Sequence, residues 1–186
     1  MRLKKINAVL ALLSIAALLL HVGYTVFCYL AFYYNPTLKI VTAIPFMVLA
    51  CLHAVCGMAA VFMQADGTRL DLYPRLNVRT VLQRISAALI FPMLILHINT
   101  FRLMQMSKEA GNTFFLVLLL LSEPLFFGVV ITHVSVSFSK ALITVGWLRS
   151  VEKQRVIDRV VYILGAVIFA AAVFFILKGQ IAMFFK

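Results

Sequence analysis

The strongest constraint on this chain is a set of five apolar runs, at roughly 6–33, 40–63, 85–101, 114–138 and 160–185. About 20 apolar residues suffice to cross a bilayer as a helix. In lipid a helix satisfies every backbone polar group within the segment. The third run is short and is expected to extend at both ends. This gives predicted helices at about 6–33, 40–63, 82–106, 113–138 and 157–185. Composition agrees, with 64% of the residues hydrophobic and 12% charged. A soluble domain is nearer half apolar and a quarter charged. The expectation is an all-α integral membrane protein, a five-transmembrane-helix bundle forming one domain over 1–186. The first run follows Lys4 and Lys5, as a signal peptide would, but its apolar stretch is too long for one, so a retained helix is expected.

A net charge of +11 raises the question of nucleic acid. The basic residues, however, sit in short segments between apolar runs, not along one phosphate-binding stripe. Their distribution is a topology signal. The N-terminus, the second connection and the fourth connection (Arg2, Lys4, Lys5, Arg69, Arg75, Arg79, Arg84, Lys140, Arg149, Lys153, Arg155 and Arg159) carry 12 Lys and Arg, against 5 on the other side (Lys39, Arg102, Lys108, Lys178 and Lys186). The richer side is expected to face the cytoplasm, with the N-terminus inside and the C-terminus outside. Tyr29, Tyr33 and Tyr34 near the end of the first run, and Trp147 near the inner boundary, fit interfacial aromatic positions. The three cysteines, Cys28, Cys51 and Cys56, lie within apolar runs and suggest no disulfide framework. No phosphate loop, nucleophile motif or cytoplasmic domain large enough for flavin is present.

All four histidines, His21, His53, His97 and His133, fall inside expected spans, one in each of the first four. An imidazole in hydrocarbon is costly unless something satisfies it, which makes each a functional candidate. A single one could simply bond a neighbouring helix; four on four helices call for a common cause. Two b-type haems supply it, because each six-coordinate iron takes one imidazole above and one below the porphyrin plane. Zinc is the rival, but it favours four ligands at one level. At about 1.5 Å per residue, His21 and His97 lie roughly 20–24 Å from the inner boundary. His133 lies about 10 Å in and His53 about 20 Å in on the same estimate. Depth therefore pairs His21 with His97 as the outer set, and His53 with His133 follows as the inner one partly by elimination.

Several motifs then resemble a known family. Gln83-Arg84-Ile85-Ser86-Ala87 followed by His97 is similar to the Gln/His-Arg-x-Ser-Gly…His pattern of the two-haem cytochrome b membrane anchor of succinate dehydrogenases and fumarate reductases. His53-Ala54-Val55-Cys56-Gly57 resembles its His-Ala-x-x-Gly, and Ile143-Thr144-Val145-Gly146 is also similar. The resemblance implies a cytochrome b carrying two haem b groups, the outer iron on His21 and His97 and the inner on His53 and His133. It implies electron transport between a membrane quinone (menaquinone or another) and fumarate or succinate. The implied partners are a flavoprotein subunit and an iron–sulfur subunit on the cytoplasmic face, with a dimer of complexes allowed. The implied setting is a respiratory chain in a prokaryotic cytoplasmic (inner) membrane, with no dicarboxylate active site on this chain. A cytochrome b of another quinone-linked reductase, or a haem-free proton or metal transporter or scaffold, are the alternatives.

Four further residues are singled out. Glu123 is the only carboxylate deep within a span, next to Pro124; it is read either as a proton relay or quinone contact, or as a neutral acid capping a proline kink. Arg84 and Ser86 are candidate contacts for a quinone or the iron–sulfur subunit, with interfacial snorkelling as the plainer reading of the arginine. Lys140, seven residues after His133, is a candidate for a haem propionate or a positive-inside anchor.

Overall fold

The computed structural model describes residues 2–31, 33–62 and 74–185. Within them the chain is helical, as α1 (Arg2–Ala31), α2 (Pro36–Phe62), α3 (Pro74–Glu109), α4 (Thr113–Val145) and α5 (Val151–Phe184), with no strand among the described residues. All five helices are long and apolar enough to cross a membrane, so the chain has the character of a multi-pass membrane protein. Residue 63, the expected end of the second span, lies outside the described residues, as do Asp66, Arg69 and Lys186.

Most of the helices outrun their apolar stretches, because hydropathy marks where lipid ends whereas caps mark where a helix ends. α2 begins at Pro36, four residues before its apolar run. Its N-terminus is fixed by Asn35, whose Oδ1 accepts from the Thr37 and Leu38 amides at 2.9 and 3.2 Å. Proline suits the first helical position, where its missing N–H costs nothing. Lys39, expected in the connection, is therefore helical. The connection expected around Lys108 shrinks to Ala110–Asn112, with Gly111 at φ 65° and Asn112 capping α4 through Phe115 N at 3.0 Å. α4 continues past residue 138 to Gly146, which takes the left-handed conformation (φ 90°) that closes a helix C-terminus. α5 starts at Val151 behind the N-cap Ser150.

Short turns make α1 and α2 one hairpin and α3 and α4 another, and these two pairs pack most extensively. α4 is the central helix, touching α1, α3 and α5, while α2 packs chiefly on α1. The buried positions of α4, Leu116, Leu119, Glu123, Phe126 and Val130, step by three and four residues, the spacing of a helix-packing seam. His133 is the next step along it. α5 closes against this seam with small residues: a Cβ on Gly165 would sit 3.1 Å from Ile131 and Ser135. A Cβ on Gly179 would overlap the Tyr29 ring of α1. Small residues at such points let helix backbones approach when lipid removes the hydrophobic drive to associate. Large apolar side chains such as Leu20, Leu125, Val41 and Phe174 point outward instead.

Candidate functional site

Each hairpin brings two histidines: His21 and His53 from the first, His97 and His133 from the second. All four engage the protein through Nδ1. His53 Nδ1 lies 3.1 Å from the Asn7 carbonyl. His133 Nδ1 lies 3.1 Å from the Gln83 carbonyl and 3.1 Å from Ser86 Oγ. A carbonyl can only accept, so Nδ1 carries the proton in both rings. The Ser86 hydroxyl donates to the Leu82 carbonyl at 2.7 Å, which leaves its oxygen free to accept from His133. His97 Nδ1 meets Glu123 Oε2 at 2.8 Å, and His21 Nδ1 meets Thr42 Oγ1 at 3.4 Å. No Nε2 of the four has a hydrogen bond among the described residues. Bonding at Nδ1 fixes the ring and its tautomer and leaves the Nε2 lone pair to a ligand, as in metal-binding histidines generally.

His53 and His133 face each other across the hairpin boundary, with ring centres 6.3 Å apart and planes at 62°. Two imidazoles on opposite sides of one metal ion, with roughly 2 Å to each nitrogen and about 1 Å more to each ring centre, stand about 6 Å apart. The observed separation is that of such a pair and also that of an ordinary edge-to-face ring contact. His21 and His97 instead border a cavity of about 480 Å³ walled by α1, α2, α3, α4 and α5. Pockets for cofactors occupy roughly 300–1,000 Å³. Phe46 stacks on His21 (6.3 Å, 9°) and Phe126 on His97 (4.8 Å, 25°), so aromatic faces line the space beside both rings. Among the described residues no three His, Cys, Asp or Glu side chains converge on one point. The nitrogen donors come in twos.

The remaining candidates fall around these pairs. Lys140 Nζ donates to Gln83 Oε1 at 3.0 Å and Thr80 Oγ1 at 3.1 Å, so Gln83 serves His133 with its backbone and Lys140 with its side chain. Arg84 is half-buried, and Arg79, Arg84 and Lys140 stand close enough to interact as charges. Ser86 is turned towards His133. Glu123, 2% exposed, does not cap the backbone beside Pro124; its hydrogen bond is to His97, and its Oε1 has no partner. Gln180 Oε1 is also buried without a partner, and both side chains line the cavity of His21 and His97.

The sequence reading missed three contributors. Lys39, counted there only as an outer charge, lines the cavity of His21 and His97. Gln180 of α5 had no signal beyond being a polar residue in an apolar run. The Glu123–His97 contact did have one: α3 and α4 are joined by three residues, and His97 and Glu123 lie 12 and 10 residues from that turn. They were bound to stand at one level.

Compared with known protein families, with curated proteins and with solved structures, the chain gives no match.

Proposed function

We propose that this chain is a di-haem b membrane anchor. It would carry electrons between a membrane quinone and the iron–sulfur and flavin subunits of a succinate dehydrogenase or fumarate reductase. The observation that carries the reading is the His53–His133 pair, 6.3 Å between ring centres with both Nδ1–H groups bonded to carbonyls. His21 and His97 on one aromatic-walled cavity supply the second pair. The family reading itself rests on the sequence resemblance.

Haem iron, when bound, supplies a one-electron couple within the bilayer. The chain's residues do the rest. The Asn7 and Gln83 carbonyls and Ser86 orient the inner imidazoles; Glu123 and Thr42 orient the outer ones. Lys140 with Arg84 at the inner level, and Lys39 at the outer, provide cations for haem carboxylates. Apolar helix faces exclude water from both pairs, which removes a competing ligand and preserves a low-dielectric path. Arg84, Ser86 and Glu123 are the candidate polar contacts for a quinone. The N-terminus would be cytoplasmic, so that the inner pair lies nearest the flavoprotein and iron–sulfur partners of a prokaryotic inner membrane.

The test is a dithionite-reduced minus oxidised spectrum of the purified protein with pyridine haemochrome quantitation. A b-type spectrum with about two haems per chain is expected, since four axial imidazoles serve two irons. A folded protein that stays colourless after expression with ample haem would overturn the reading and leave a proton or metal transporter, or a scaffold, in its place.

A further inference from the structure

The four Nδ1 contacts are not alike, and that difference separates the two pairs. In the inner pair both Nδ1–H groups bond backbone carbonyls, which are neutral acceptors: Asn7 O at 3.1 Å and Gln83 O at 3.1 Å. In the outer pair His97 bonds a carboxylate oxygen at the shorter distance of 2.8 Å, and His21 makes only a 3.4 Å contact to Thr42 Oγ1. Among the described residues, the bond to His97 is the one hydrogen bond the carboxylate makes. Glu123 is 2% exposed, its Oε1 is unpartnered, and it bonds no backbone group beside Pro124. A buried acid at such a place is expensive, and here a single contact accounts for it.

We infer that Glu123 is a positioning residue that fixes His97 with Nε2 turned to the cavity and makes it the most strongly donating of the four imidazoles, which lowers the reduction potential of the haem His97 would hold. The inference rests on the di-haem reading. A carboxylate accepting from Nδ1–H pushes electron density into the ring and raises its basicity at Nε2. Charge-assisted bonds of this kind are about twice as strong as neutral ones. Greater donation stabilises the oxidised iron over the reduced one, and hydrogen bonding behind the axial ligand is an established lever on haem potential.

The experiment is an optical redox titration of the purified, haem-loaded protein and its Glu123→Gln variant, with His21→Ala identifying the outer haem as the wave it removes. Glutamine keeps an oxygen for Nδ1–H at the same reach but removes the carboxylate, so a purely structural role would survive the change. The expected result is that the wave removed by His21→Ala moves upward in Glu123→Gln while the other stays in place. Glu123→Asp, which keeps the carboxylate on a shorter arm, is expected to move the same wave in the same direction by less, and serves if the glutamine variant loads poorly. Unchanged waves in both variants, or equal movement of both waves, would overturn the inference and leave the di-haem reading standing. A wild-type protein without haem would overturn both.

Discussion

At the scale of single residues, the His53–His133 pair gives the sharpest predictions of the di-haem proposal. On that proposal, replacing His133 with alanine would remove one haem ligand, and roughly half of the haem should be lost, because each iron would draw one imidazole from either side; pyridine haemochrome quantitation checks it. Ser86→Ala is milder. His133 keeps the Gln83 carbonyl and loses only the hydroxyl oxygen, so haem should be retained but about tenfold more weakly, the lower end of what partners behind a ligand contribute. Competition for bound haem by an apo-acceptor measures that. Full haem affinity in Ser86→Ala would mean the carbonyl alone orients the ring.

At the scale of the helices, close approach matters more than apolar area. α5 meets α1 where Gly179 lies under the Tyr29 ring, and any side chain there must displace the ring. Gly179→Leu should therefore lower stability by about 1–3 kcal/mol, the usual cost of overpacking, seen as a reduced melting temperature in detergent. This level also shows what could be read from the sequence. The five spans were legible because about 20 apolar residues have few other uses. Their ends were not, because Asn35, Gly146 and Ser150 are short-range signals that hydropathy does not register. The histidines were legible as a set, yet their holders were hidden: Asn7 and Gln83 act on them through backbone carbonyls, which every residue possesses. Glu123 was visible as a candidate, but its partner in space, His97, was not read from the sequence.

At the scale of the whole molecule, one clasp ties three helices together. Arg79 of α3 donates from Nε to the Val136 carbonyl of α4 at 2.7 Å and from Nη2 to Ser139 Oγ at 2.8 Å. It also forms a two-pronged ion pair with Asp158 of α5 at 2.8 and 2.9 Å. Because Gln83 lies one turn along α3 from Arg79, the clasp also sets the level at which its carbonyl meets His133. Removing the arginine strands Asp158, whose side chain is 17% exposed. Arg79→Ala should cost about 1–3 kcal/mol, the range for leaving a half-buried hydrogen-bonding group without its partner. The double change Arg79→Met with Asp158→Leu should recover much of it. Thermal unfolding of both variants decides; equal loss in the two would show that the pair itself, not the stranded charge, carries the energy.

The division of the ligands between hairpins has a consequence for how the protein is made. Neither hairpin holds both members of a pair, since His21 and His53 enter with the first and His97 and His133 with the second. Under the di-haem proposal, the His21–His97 site could be completed only once α3 is made and the His53–His133 site only once α4 is, which would make haem capture a late step in biogenesis. A chain cut between α2 and α3 and expressed as two fragments should accordingly reassemble into a coloured complex in the membrane. Either fragment alone should stay colourless and fall to quality-control proteases.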